Sequence, residues 1–444
     1  MKESYSARVR NFSNLIYTFY SKLKSNALIQ DSLISLVGNL AGKGLALLAG
    51  ILVARFLGKE SFGEYGVIRN TILTIGIFST FGLGYTATKF IADFKTSKPE
   101  KLKIFIKYAN TITLLFSGVM GVLLYIFADK VAIDILKIKD LGYALRFLAI
   151  LIVFNAITTT QIGMLAGFGK FKELAQINAV VGVLTFLLTV VLTYYYKFEG
   201  ALLALVLVQA LNCVFNFFMV KKALPKNVSY DISDKNLFYN IVDFSFPIAL
   251  QECTYALTSW LSTVLLIRLA SVGDFGIYSA AIQWNAIILF VPGILRNVVL
   301  SHLSSNLDNI SNHKSILKRT VKINFIATLV PCLVVVVLSP LIARSYGQTF
   351  EGLAGLLAFV VFSTIFTSVS NVYAQAFTSL SKNWLMFFIR FLRDFLIIVL
   401  FILLVKLLKL NGAWSLAYSN MLLNVLFLVL MIFIYKKINN VKFN

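Results

Sequence analysis

Nine stretches of this 444-residue chain run for nineteen residues or more without an aspartate, glutamate, lysine or arginine. They are 70–88, 108–128, 147–169, 174–196, 200–220, 275–295, 323–343, 352–381 and 410–435. A helix needs roughly 20 apolar residues to cross a hydrocarbon layer about 30 Å thick, so each stretch is long enough to span. Three further runs have the length but carry charge inside. These are 30–54 with Asp31 and Lys43, 244–267 with Glu252, and 383–405 with Arg390, Arg393 and Asp394. Together they predict about twelve transmembrane helices. Barrel strands would read as short alternating segments, which these are not. The predicted class is an all-α integral membrane protein. Composition agrees, because only 14% of residues are charged, against about 25% in a soluble domain.

The formal net charge of +22 would suit nucleic acid, so its placement has to decide. With the N-terminus in the cytoplasm, 26 of the 41 basic residues fall on inside segments and ten on outside ones. That bias is the positive-inside rule, and it predicts both termini in the cytoplasm. The excess is then topology and attraction to anionic membrane lipid, with no nucleic-acid partner implied. The expected location is a bacterial inner membrane or an archaeal plasma membrane, crossed many times. Cys213, Cys253 and Cys332 all fall inside predicted spans, with neither disulfide nor metal spacing. The first apolar run is too long for a cleavable signal and follows about 26 mostly polar residues. Val9, Phe12, Leu15, Ile16, Phe19 and Leu23 give that leader one apolar face, which predicts a helix lying on the cytoplasmic membrane surface.

An internal repeat organises the rest. Residues 55–65 (RFLGKESFGEY) and 268–278 (RLASVGDFGIY) match at Arg55/Arg268, Phe62/Phe275, Gly63/Gly276 and Tyr65/Tyr278, a constant offset of 213. Further along, Lys170 pairs with Lys382 and Gly200-Ala201 with Gly412-Ala413 at an offset of 212. Six spans per copy is an even number, so the halves share one orientation and an axis along the membrane normal. The expected organisation is a leader at 1–26, a six-helix lobe at 27–222, a cytoplasmic linker at 223–239, a second six-helix lobe at 240–436 and a tail at 437–444.

Ionisable residues cost roughly 2.5–3.5 kcal/mol at the centre of a bilayer and normally face a cavity or a partner. Lys43 lies on the first span and Glu252 on the seventh, the first helix of each half. Asn39 shares a face with Lys43, and Tyr255 and Ser259 share one with Glu252. Pro247, a turn and a half earlier, marks an expected kink in that seventh span. Two readings stand: a polar cavity between the halves, or a Lys43–Glu252 ion pair that closes them. Arg69 lies near the outer end of span two, where it either lines the cavity or reaches the headgroups. Arg55 and Arg268 occupy matched outer ends, and their expected shared role is to stabilise their own hairpins. Arg390 and Asp394 are four residues apart on span eleven, which predicts an intrahelical pair.

No catalytic constellation emerges, so the chain does not read as an enzyme. The two histidines, His302 and His313, fall on an inside loop among polar residues. Patterns for zinc hydrolases, serine hydrolases, phosphate loops and paired cysteines are absent. No cofactor or metal is expected.

FLGKESFGEYG (56–66), GLGYTATKFIA (82–92) and the second-half echo GDFGIYSAA (273–281) resemble the polysaccharide repeat-unit flippases. These are the Wzx-type members of the multidrug/oligosaccharidyl-lipid/polysaccharide exporter superfamily. The resemblance implies two lobes forming a V around a central cavity lined by helices one, two, seven and eight. It also implies transport of a lipid-linked oligosaccharide to the outer leaflet by alternating access, by a single chain beside other glycan-assembly membrane proteins. On that reading Asn39, Lys43, Arg69, Glu252, Tyr255 and Trp284 line the cavity. Arg55, Arg268, Arg390 and Asp394 are secondary positions. Lys43 and Arg69 would hold the anionic phosphate, Trp260, Trp284 and Tyr255 would stack on sugars, and Glu252 would bind a coupling H+ or Na+. Two other functions fit the composition less well. A cation antiporter of the same superfamily needs acidic cavity residues, and a membrane glycosyltransferase or polymerase needs a large outside loop.

Overall fold

The computed structural model describes residues 27–97, 99–224, 235–304, 310–380 and 382–441. The leader at 1–26 and most of the linker at 223–239 lie outside the described residues. The helical run Ala27–Thr80 turns at Gly58 (φ 73°, ψ 171°), dividing it into α1 (27–57) and α2 (59–80). The positive φ there is one that glycine adopts without steric cost. α2 breaks at Phe81 and Gly82, both at positive φ, and resumes over Leu83–Ser97. α3 is Lys101–Lys130, prolonged by a wider turn over Val131–Leu136, and α4 is Gly142–Gly167. The run Phe171–Ala223 turns at Lys197 (φ 48°, ψ −124°) into α5 (171–196) and α6 (198–223).

The second half repeats the plan. α7 is Lys235–Leu269, and α8 comes in three pieces, Val272–Ile282, Asn285–Ile288 and Phe290–Ser304. α9 is Ile310–Tyr346, α10 Leu353–Ser379, α11 Asn383–Lys406 and α12 Gly412–Val441. The twelve predicted helices are therefore present among the described residues. Among the described residues, seven helical runs are long and apolar enough to cross a membrane, and two of these are the double rods α1–α2 and α5–α6. The three outside that group are α7 and α11, the later charge-interrupted spans, and the fragmented α8. α7 stays helical through Pro247. The helix that is interrupted is α8. The repeat extends to backbone conformation: Lys197 and Lys409, 212 residues apart, both adopt positive φ at the turn between the last two helices of their half.

The halves meet at the end of the bundle that carries the α1–α2 and α7–α8 hairpins, here the hairpin end. The opposite end carries residues 27 and 441, the first and last described, and is called the terminal end. At the hairpin end Gly63 packs against the backbone carbonyl of Val272, and Gly276 packs against that of Lys59. The 213-residue offset converts the first contact into the second. This is an isologous, two-fold contact made within one chain. The buried core follows the same geometry. One continuous cluster joins the hairpin-end part of the first half to the second half. The terminal-end part of the first half has a separate core, which takes in Leu237 and Ile241 from α7.

His302 and His313 are not loop residues, because α8 and α9 extend past the membrane span as helices. His313 is buried, with Nδ1 2.9 Å from the Tyr435 hydroxyl and Nε2 3.3 Å from Ser379 Oγ. Ser379 donates its own proton to the Ala376 carbonyl, so it accepts from Nε2–H, leaving Nδ1 to accept from Tyr435. The histidine is a satisfied core residue.

A side chain at Gly276 has no room beside the Lys59 carbonyl. Gly276→Leu should therefore lower the thermal unfolding midpoint in detergent by several degrees, a loss of about 1–3 kcal/mol for forced overpacking. Gly76→Ala, with nothing within 4 Å of its new methyl, should not lower it. Equal midpoints for the wild type and Gly276→Leu would refute the two-fold glycine contact.

Candidate functional site: the seam between the halves

Two antiparallel helix pairs form the seam. In the first, α1 faces α8: Gly50 lies against the Gln283 side chain, and Lys43 Nζ lies 5.2 Å from the centre of the Phe290 ring. Lys43 and Gly50 are seven residues apart, which puts both on one face of α1. In the second, α2 faces α7. Asn70 Nδ2 donates to Thr263 Oγ1 (2.6 Å) and Trp260 Nε1 donates to Thr71 Oγ1 (3.0 Å). Nearer the terminal end the Thr86 and Ser245 hydroxyls are 2.8 Å apart, and Lys89 Nζ lies 3.7 Å over the Phe244 ring. These pairs keep a single register, and it brings Glu252 level with residues 79–81, where α2 breaks.

Lys43 and Glu252 are thus on different seams. Among the described residues no ion pair joins them, which rules against the ion-pair reading of the sequence. Asn39 accepts a hydrogen bond from Asn178 Nδ2 (2.7 Å) on α5, so part of its polarity is spent inside its own half. Arg69 is exposed on α2, near enough to act on the phenol of buried Tyr65. Trp284 is only partly exposed, and its Nε1 donates to the Tyr346 hydroxyl at 3.1 Å. The N–H of Trp260 is therefore used across the seam and that of Trp284 inside the second half. Tyr255 is exposed and lies within electrostatic range of Asp394, Arg393, Glu252 and Arg390. This gathers the predicted α7 and α11 positions into one cluster in the second half. Asp394 is bonded by its chain neighbour Arg393, with N–O distances of 2.6 and 2.8 Å.

Arg268 does not stabilise its own hairpin. It reaches across to the first half, where Nε donates to the Ile135 carbonyl (2.7 Å) and a terminal guanidinium nitrogen donates to that of Asp134. Arg55 lies against Gly347, likewise in the opposite half. The expected role within each hairpin is replaced by contacts between the halves.

The sequence reading missed the break in α8 and what pins it. Tyr346, fully buried on α9, accepts from Gln283 Nε2 and Trp284 Nε1 and lies 3.4 Å from the Ala280 carbonyl, to which it donates. Following Trp284 in the chain, buried Asn285 Oδ1 has no hydrogen-bond partner among the described residues. The polar triplet Gln283-Trp284-Asn285 in an otherwise apolar run, with Pro292-Gly293 after it, was the available signal. Interrupted helices at mid-membrane depth are where transporters built from repeats place their binding sites. Chemically, the first seam offers an ammonium beside an aromatic face, with no carboxylate paired to it among the described residues. Such a group can accept an anion.

Among the described residues, twelve helices in two pseudo-symmetric halves, with broken helices on both sides of a polar seam, make up a two-lobed, all-α fold of the membrane class. The chain belongs to the polysaccharide biosynthesis protein family, which it matches over residues 28–300. It is 21% identical to the EPS I polysaccharide export inner membrane protein EpsE of Ralstonia nicotianae over 63% of this chain and 64% of that protein. The chain matches less than two thirds of the length of its curated relatives. Among solved structures, an inward-facing multidrug resistance MATE family transporter of the MOP superfamily has a TM-score of 0.76 at 14% identity, covering 92% of this chain and 99% of that one. The lipid II flippase MurJ, in an inward closed conformation, has a TM-score of 0.73 at 16% identity, covering 91% and 87%. These likenesses establish the fold.

Tyr346→Phe would remove the acceptor of two N–H groups and the donor to Ala280. Thermal unfolding should show a loss of about 1–3 kcal/mol, the cost of leaving buried donors unpaired. An unchanged midpoint would mean that the α8 break is held by packing alone.

Proposed function

We propose that the protein is a flippase that carries a polyprenyl-phosphate- or pyrophosphate-linked oligosaccharide from the inner to the outer leaflet. The observation that carries this reading is Lys43: an ammonium inside a predicted span, on the seam between the halves, beside the Phe290 ring and without a carboxylate partner among the described residues. The phosphate headgroup is anionic and cannot cross hydrocarbon without replacement of its hydration. Lys43 on α1 supplies a counter-charge within the span, with Arg69 on α2 a second cation. Membership of a polysaccharide biosynthesis family supports a glycan as cargo.

In this reading both termini are cytoplasmic and the hairpin end faces outside. The halves are joined at that end along both seams, while toward the cytoplasmic end the contacts between them run on along the α2–α7 side; the exit side is closed. Transport requires the hairpin contacts to part while the terminal ends close, and the acyl tail stays in lipid. One chain supplies both halves, so a monomer is sufficient. Glu252, level with the break in α2, is the group proposed to take up H+ or Na+ in coupling the cycle.

The test is flipping of a fluorescent polyprenyl-pyrophosphate-linked sugar in proteoliposomes. The wild type should flip, and Lys43→Ala should lose at least about 10-fold in rate, the equivalent of 1.4 kcal/mol. Flipping that survives Lys43→Ala would keep the function and remove Lys43 from the site. Uptake of an organic cation without any lipid flipping would move the protein to the antiporter branch. Glu252→Gln should make the rate insensitive to imposed proton or sodium gradients while leaving downhill flipping measurable. A gradient response retained in that variant would rule out coupling at Glu252.

A further inference from the structure

We infer that Arg55 and Arg268 are the two arms of a pseudo-symmetric gate that holds the halves together at the hairpin end. The two residues are related by the 213-residue repeat, and so are their targets. Arg268 bonds the carbonyls of Asp134 and Ile135, and the same offset carries position 134 to Gly347, the residue against which Arg55 lies. Each arginine therefore leaves the α1–α2 or α7–α8 hairpin of its own half. It meets the point where the third helix of the other half ends.

The chemistry of that point explains the choice of arginine. Asp134 and Ile135 belong to the last turn of Val131–Leu136, just before Lys137 turns the chain at φ 60°. Carbonyls in the last turn of a helix lack intrahelical donors, and the helix dipole places partial negative charge there. A guanidinium can satisfy two such carbonyls at once and brings a full positive charge to the negative end. On the other side α9 ends at Tyr346 and Gly347 adopts φ 101°. A Cβ at Gly347 would be 3.8 Å from Arg55 Cγ, and the neighbouring Lys59 N–H donates to Thr349 Oγ1 at 3.3 Å. The Arg55 guanidinium makes no hydrogen bond among the described residues. One arm is thus closed and its equivalent rests beside its target.

A clamp made to backbone carbonyls needs no carboxylate partner, and it releases as a unit when the halves tilt apart. In the proposed function this end is the exit side, so release of the clamp precedes delivery of the cargo to the outer leaflet. The inference deepens that reading, but its test contains no cargo. A failure of sugar flipping and a failure of the gate are therefore seen separately.

Spin labels at Tyr196 and Leu408, exposed equivalents 212 residues apart near the turns of the two halves, report the separation at the hairpin end. They would be placed in a Cys213→Ala, Cys253→Ala, Cys332→Ala background in lipid nanodiscs and measured by pulsed electron resonance. Arg268→Ala should raise the ratio of the long-distance to the short-distance population about 10-fold, and Arg268→Lys should give an intermediate ratio. Arg146→Ala breaks an ion pair to Asp129 that lies entirely within the first half, and it should leave the distances unchanged. Monodisperse elution from a sizing column establishes folding. If Arg268→Ala does not meet that standard, Arg268→Lys alone decides. A distribution identical to the parent in the folded Arg268 variants would overturn the gate. So would an equal shift in Arg146→Ala.

Discussion

The two-fold glycine contact at the hairpin end is the constraint on which the other features depend. Gly63 and Gly276 let each hairpin press its backbone against a carbonyl of the other. In a membrane there is no hydrophobic force to drive helices together, because lipid tails are as apolar as the side chains. Close backbone approach at small residues supplies the attraction instead. Once that contact is made, the paths of α1, α2, α7 and α8 away from it are set. So is the register that brings Lys43 to Phe290 and Glu252 to the break in α2. The arginine contacts are a second layer on the same axis.

Away from the axis the two seams are not equivalent. On the α2–α7 side, contacts continue from Asn70–Thr263 through Thr86–Ser245 to Lys89–Phe244, and α7 joins the terminal-end core of the first half. On the α1–α8 side, the contact nearest the terminal end among those described here is the cation–π pair of Lys43 and Phe290. Such a pair is worth only about 0.5–2 kcal/mol. A phosphate competes well with an aromatic face for an ammonium, because it offers full charge and several acceptors. The softer seam is therefore the one that carries Lys43, while the Lys89–Phe244 pair lies on the firmer one.

Helix number, class and internal repeat were legible in the sequence because they rest on long-range regularities: charge-free runs of spanning length and a fixed offset between copies. Local breaks were harder to read. Pro247 sits in a continuous helix, whereas α8 is interrupted at Gln283-Trp284, a stretch without proline. What holds that interruption is a tyrosine hydroxyl from α9, 62 residues further on. No local pattern could name it. The fate of Arg55 and Arg268 was half legible. Their equivalence showed in the repeat, but their targets lie on the opposite half and appear only once the two-fold axis is known. Lys43 and Glu252 show the same limit. Depth along a helix can be counted from sequence, but which neighbour a face meets depends on packing.

The separation of those two charges has a physical consequence. Had Lys43 and Glu252 paired, each would have offset much of the other's desolvation cost, and an anion would have had to displace a carboxylate to reach the lysine. A buried pair of that kind is costly to break, by several kcal/mol. With the lysine on one seam and the glutamate on the other, the anion site needs no such exchange. The α11 cluster follows the opposite rule: Asp394 is held by the adjacent Arg393 and is buried within its own half. Charges that stabilise a half are paired inside it, and the cation left on the softer seam is the one with a reason to meet something from outside the chain.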